Sequence, residues 1–159
     1  PVEVVEAVSP LVIHRKRIAR DTGGPGRFRG GCGVELEIGV RTHDDVLYSS
    51  VYEHVRVPPR GLFGGSAGAA GRLGLVDGRT LPAKAKHWLK PGDRITLRTP
   101  GGGGIGDPLT RDPAAVGDDV ARGLVSAEAA LRDYGVAVDA RGRVDTTATE
   151  HARAKRAAR

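Results

Sequence analysis

Val34-Glu35-Leu36-Glu37-Ile38 alternates apolar and charged side chains. A period of two marks a strand with one face on a core and the other toward water. Ile95-Thr96-Leu97-Arg98 repeats the pattern. Working outward, Val2–Val8, Leu11–Ile18, Val34–Val40, Val46–Val51 and Ile95–Thr99 are the expected strands. His43-Asp44-Asp45 is turn chemistry and predicts a hairpin between the runs on either side. Asp77-Gly78, between Leu73–Val76 and Thr80-Leu81, is the strongest hairpin signal in the chain. Lys90-Pro91-Gly92-Asp93 reads as a turn into the Ile95 strand.

Past residue 110 the pattern changes to helix. Asp112-Pro113 is an N-cap followed by proline at the first helical position, and Val116, Val120 and Leu124 form an apolar stripe. Gly123 breaks that helix, Ser126 caps a second, and Tyr134-Gly135 closes it. Helices are expected over Ala114–Arg122 and Ala127–Tyr134. The predicted fold class is mainly β with short C-terminal helices (α+β). A β-rich domain with glycine-rich loops covers residues 1–110, and two short helices packed on it cover 111–138. A polar basic tail, frayed or helical, covers 139–159.

The composition is that of a globular chain of one-domain size: 159 residues, 39% hydrophobic and 28% charged. Glycine stands out at 24 residues, roughly twice ordinary usage. No apolar run approaches the ~20 residues of a membrane-crossing helix, and Pro1-Val2-Glu3-Val4 lacks the features of a signal peptide. Methionine is absent, including at position 1, so the chain is expected to be processed, trimmed or part of something longer. A single cysteine, Cys32, excludes an internal disulfide and fits a reducing, cytoplasmic setting. The net charge of +6 divides into +5 over residues 14–29, +4 over 151–159 and −3 elsewhere. Such a distribution argues for solvated basic segments rather than a nucleic-acid partner.

Three glycine clusters dominate: Gly23–Gly31, Gly61–Gly65 and Gly101–Gly106. Gly101, Gly103 and Gly106 satisfy G-x-G-x-x-G, yet Asp107-Pro108 intervenes where a dinucleotide fold needs a helix at once. A structural turn is therefore the expected role of Gly101, Gly102, Gly103, Gly104 and Gly106, with a phosphate cradle as the alternative. His43-Asp44-Asp45 lacks the second ligand cluster a zinc site requires, so no metal site is expected. Glu53-His54 could form an acid/base pair only weakly, because neighbouring strand residues point to opposite faces. Cys32 has Arg27 and Arg29 near in sequence, but a small residue in a tight turn is the default reading. The two helices mimic a helix-turn-helix, although the second offers only Glu128, Arg132 and Asp133 to base edges.

Four co-linear motifs carry a family resemblance. Thr22-Gly23-Gly24-Pro25-Gly26-Arg27-Phe28-Arg29-Gly30-Gly31 resembles the "SGGaGrfRGG" signature of the hydantoinase B/oxoprolinase family. Pro58-Pro59-Arg60-Gly61-Leu62-Phe63-Gly64-Gly65 resembles its "PPxGLxGG" segment. Leu89-Lys90-Pro91-Gly92-Asp93 with Thr99–Pro108 is similar to its "LKPGD…TPGGGGxGDP" ending, and Gly123–Ser126 with Tyr134–Val136 to the helical close that follows.

That resemblance implies the C-terminal portion of a B-type subunit, or a split subunit. Its family performs ATP-dependent opening of cyclic amides such as hydantoins and 5-oxoproline, with relatives that carboxylate ketones. The implied partners are an A-type, nucleotide-binding subunit and the rest of the B-type subunit. ATP and a divalent metal are implied for the whole assembly, with no cofactor, no metal and no complete active site in this segment. Arg27, Arg29, Glu53 and His54 are the candidate substrate or interface residues, and no catalytic residue is assigned. The family does not demand cysteine at Cys32, and His54 stands where arginine is common. The alternative reading is a non-enzymatic assembly module whose basic surface binds an acidic protein.

Overall fold

The computed structural model describes residues 1–157. Its elements run α1 (Val2–Val8), β1 (Leu11–Ile18), β2 (Val34–Val40), β3 (Val46–Val51), β4 (Arg72–Leu75), β5 (Lys84–Leu89), β6 (Arg94–Arg98), a 3₁₀ turn (Pro108–Thr110), α2 (Pro113–Ala121), α3 (Ala127–Tyr134) and α4 (Thr146–Ala157). The fold is α+β. Four strands pair antiparallel in the order β1-β2-β6-β4, and β3 and β5 form a separate antiparallel pair.

The alternation in β2 sets Leu36 and Ile38 on one face, although both are only half-buried and Glu37 on the other face is buried beneath Arg15 and Arg94. Leu36 and Ile38 lie opposite Leu97 and Ile95 of β6, which in turn face Leu73 and Leu75 of β4. Ile95, Leu97, Leu73 and Leu75 join Val40 and Leu89 in one apolar core, with Leu36, Tyr48 and Tyr52 packed against it. A second core holds Val116, Val120, Val125, Ala129, Ala130, Tyr134 and Val136 from the helical region.

Two local expectations are corrected. Val2–Val8 is a helix rather than a strand. Its β-branched residues favour strand in isolation. Here the Glu6 carboxylate accepts from Ile13 N–H at 2.8 Å and Ser9 bonds back to the Val5 carbonyl at 2.6 Å, folding the segment onto β1 as a turn of helix. The His43-Asp44-Asp45 turn does not close a hairpin between β2 and β3. Both edges of β2 are already taken by β1 and β6, so the chain leaves the sheet and pairs with β5, a strand the sequence reading missed. The turns at Asp77-Gly78 and Lys90–Asp93 form as expected, with Gly78 and Gly92 at φ of 94° and 86°.

The helix signals hold to within a residue. Asp112 accepts from Ala114 N–H at 3.0 Å, Ser126 from Ala129 N–H at 3.1 Å, and Gly135 ends α3 at φ 63°. Much of the basic tail is the helix α4. Arg156 donates to the Leu131 and Arg132 carbonyls at the C-terminus of α3, and Arg153 to the carbonyls of Tyr134 and Arg111. Cations suit such helix ends. Arg159, counted in the tail's charge, lies outside the described residues.

Burial pushes the Tyr134 phenol up to about 12, with Arg111 and Arg29 pulling the other way. Burial and the 2.6 Å hydrogen bond to Tyr52 raise Tyr48 as well. Both phenols are held neutral, and the stability that Tyr134 contributes is complete below pH 10 and is lost as pH climbs through 12. Urea midpoints should fall across that window, and Tyr134→Phe should flatten the fall. A midpoint indifferent to pH over that range would contradict the assignment.

Candidate functional site

The three glycine clusters meet in one place. Gly24 N–H donates to the Gly102 carbonyl at 2.8 Å, Gly102 N–H to Gly31 at 2.9 Å, and Gly104 N–H to Ser66 at 2.9 Å. Ser66 N–H returns to Pro25 at 2.7 Å, Gly101 N–H to Ala69 at 3.0 Å, and Gly106 N–H to Leu62 at 2.9 Å. Three irregular segments, distant in sequence, are thus knitted backbone to backbone. A Cβ built on Gly103 would overlap the Arg60 carbonyl oxygen, and one on Gly104 the Pro25 carbonyl oxygen. Only glycine lets three segments approach so closely, the same steric reason that governs a collagen axis.

The lattice revises how the Gly101–Gly106 run works. Of its glycines only Gly106 has positive φ, at 75°, so close packing rather than turning explains the rest. The N–H groups of Gly101, Gly102, Gly104 and Gly106 already have carbonyl acceptors, which leaves them no direction in which to cradle an anion.

The lattice separates the two candidate arginines. Arg29 lies half-buried and grips Asp119 of α2 through Nε (3.0 Å) and Nη2 (3.2 Å), while Nη1 reaches the Gly30 carbonyl at 2.6 Å. Arg111 shares the same carboxylate at 2.8 Å and donates to the Arg27 carbonyl at 3.1 Å. Burial opposes the Arg29 charge, but Asp119 outweighs it and holds the guanidinium pKa above its ordinary value. The Cys32 thiol is tied in too, accepting from Arg29 at 3.4 Å and reaching the Leu124 carbonyl at 3.6 Å.

Arg27 instead faces solvent, its guanidinium 5.7 Å from the Phe28 ring centroid. Phe28 and Leu62 each bridge to Ile105, which brings exposed apolar side chains together at one end of the lattice. Phe63 stands beside them, 88% exposed and at φ 50°. A bulky residue held in that backbone region is strained, and such strain collects at working surfaces. Sequence reasoning missed this cluster, because no single motif contains all its members.

Glu53 and His54 lie elsewhere, just beyond β3. Glu53 pairs with Lys84, which holds its carboxyl below the usual range, and His54 Nδ1 sits 3.0 Å from the Val57 carbonyl at φ 55°. Both line an open groove of about 640 Å³ with Tyr52, Arg56 and Pro82. Among the described residues no group of three or more His, Cys, Asp or Glu side chains is placed to hold a metal ion.

The hydantoinase B/oxoprolinase family profile matches residues 1–108, a span that contains all three glycine clusters. The chain belongs to the hydantoinase B/oxoprolinase family. It is 36% identical to caprolactamase subunit beta of Pseudomonas jessenii over 96% of its own length and 28% of that protein. The crystal structure of the ATP-dependent caprolactamase from that organism superposes with a TM-score of 0.77 at 35% identity, covering 97% of this chain and 28% of that one. A nucleotide-free acetone carboxylase structure gives 0.78 at 26% identity, covering 99% and 26%. This family member therefore spans about a quarter of the length of these relatives.

Proposed function

We propose that this chain serves as the C-terminal portion, or a split part, of a B-type subunit in an ATP-dependent assembly. That assembly opens a cyclic amide such as a lactam, hydantoin or 5-oxoproline ring, or carboxylates a ketone. The observation that carries the reading is the 36% identity to the caprolactamase subunit over 96% of the chain, together with a backbone that superposes on the same enzyme. ATP and a divalent metal belong to the rest of the assembly, with ATP on an A-type partner. The glycine lattice acts here as a rigid platform, with the N–H groups of Gly101, Gly102, Gly104 and Gly106 spent internally. A full-length B-type subunit carrying this segment, combined with its A-type partner, should couple ATP hydrolysis to opening of ε-caprolactam, hydantoin or 5-oxoproline, or to acetone carboxylation. No ATP-coupled turnover of any of the four would overturn the reading.

The alternative, a module that binds an acidic protein through general basicity, draws less support. Arg29, Arg111, Arg132, Arg143, Arg153 and Arg156 are all engaged within the chain. Assembly contacts fit Arg27 and Phe28 better, an exposed cation stacked on an aromatic. Arg27→Ala with Phe28→Ala should reduce co-purification with the other subunit parts while the melting temperature holds. Arg29→Ala should lower the melting temperature instead. The reverse pattern would exchange their roles.

A further inference from the structure

The face of the four-stranded sheet opposite the apolar core carries rows of charge. In one row Arg17 lies opposite Glu35, Glu35 opposite Arg98, and Arg98 opposite Arg72. In the adjoining row the Glu37 carboxylate bridges Arg15 at 2.8 Å and Arg94 at 3.2 Å. Glu35 is committed to Arg17 at 2.8 Å and, more distantly, Arg15 at 3.7 Å. Among the described residues no carboxylate forms an ion pair with Arg72 or Arg98. Two guanidiniums directly opposite on neighbouring strands repel.

Arg98 shows the consequence. Its Nη2 donates to the Ala70 carbonyl at 3.1 Å, but its buried Nε has no acceptor. Burial and the neighbouring Arg72 charge lower its pKa, with Glu35 opposing. A shallow depression of about 200 Å³ opens over the pair, lined by Glu35, Arg72, Thr96, Leu97 and Arg98.

We propose that Arg72 and Arg98 form an oxyanion site that takes a carboxylate between two guanidiniums. The protein builds that arrangement twice from its own residues, with Glu37 between Arg15 and Arg94 and Asp119 between Arg29 and Arg111. The planar fork of arginine matches a carboxylate, and the bonds are charge-assisted. The carboxylate comes either from a free dicarboxylate or from an acidic segment laid on the sheet. The proposal does not rest on the assembly reading above.

The test follows backbone amides of Arg72, Thr96 and Arg98 by NMR in the full chain. Malonate and a blocked tetraglutamate peptide serve as probes, with sodium chloride at matched ionic strength as the reference. Saturable shifts with at least one probe are expected, weakened about tenfold by Arg72→Gln or Arg98→Gln. Stronger binding of malonate identifies a free ligand, and stronger binding of the peptide identifies a docked segment. Arg72→Glu, at an exposed position, places a carboxylate opposite Arg98 and should raise the melting temperature while abolishing binding. Chloride reproducing both titrations, or glutamine variants that bind like the parent, would overturn the proposal.

Discussion

Asp119→Ala is expected to lower the stability of this chain by about 3 kcal/mol or more. Asp119 is 7% exposed and accepts from Arg29 at 3.0 and 3.2 Å and from Arg111 at 2.8 Å. Removing it leaves two poorly solvated guanidiniums side by side, and an unpaired buried charge costs far more than a surface pair contributes. Arg111 has little to fall back on, because its Nε is buried without an acceptor. The loss should also be long-ranged, since Arg29 ties the first glycine segment to α2 across 90 residues of sequence. Replacing the cluster by Arg29→Met, Arg111→Met and Asp119→Leu should recover much of the stability, because the penalty lies in stranded charge rather than missing volume. Urea denaturation showing Asp119→Ala within 1 kcal/mol of the parent would mean that the backbone lattice alone holds the loop.

Strands β1, β2, β3 and β6, the helix caps and the tight turns were legible because each is decided locally. A period of two puts Leu36 and Ile38 on one face of β2 whatever lies around them, and Asp112-Pro113 starts a helix with atoms close at hand. Pairing was not legible in the same way. His43-Asp44-Asp45 is good turn chemistry, yet whether a turn closes a hairpin depends on which strand edges are free, and β6, far along the chain, had taken the one β3 would need. The tail shows a related limit. Arg153 and Arg156 look like solvated charge until the carbonyl ends they satisfy are placed beside them. For the candidate site, the glycine motifs marked the three segments that meet, but within the Gly101–Gly106 run a turn accounts for Gly106 alone and close approach for Gly101, Gly103 and Gly104. Composition signals that glycine is needed, but turning and close approach both call for it, and only the neighbouring backbone separates them.

That distinction is open to experiment through two glycines of the same lattice. Gly103→Ala should cost about 3 kcal/mol or more, since its Cβ would strike the Arg60 carbonyl oxygen and neither backbone can retreat without breaking its neighbours' hydrogen bonds. Gly31→Ala should change stability by no more than about 0.5 kcal/mol. Nothing lies within 4 Å of the added carbon at Gly31. Neither residue has positive φ, so backbone strain cannot explain a difference between them. Urea denaturation followed by far-ultraviolet circular dichroism compares the two directly. Equal losses would mean that glycine's flexibility matters and the packing does not. An anion cradle predicts a third pattern, in which Gly103→Ala melts like the parent but loses a phosphate ligand. The N–H groups of Gly102 and Gly104 are turned to the Gly31 and Ser66 carbonyls, and a group already donating to a protein acceptor has nothing left to offer a phosphate.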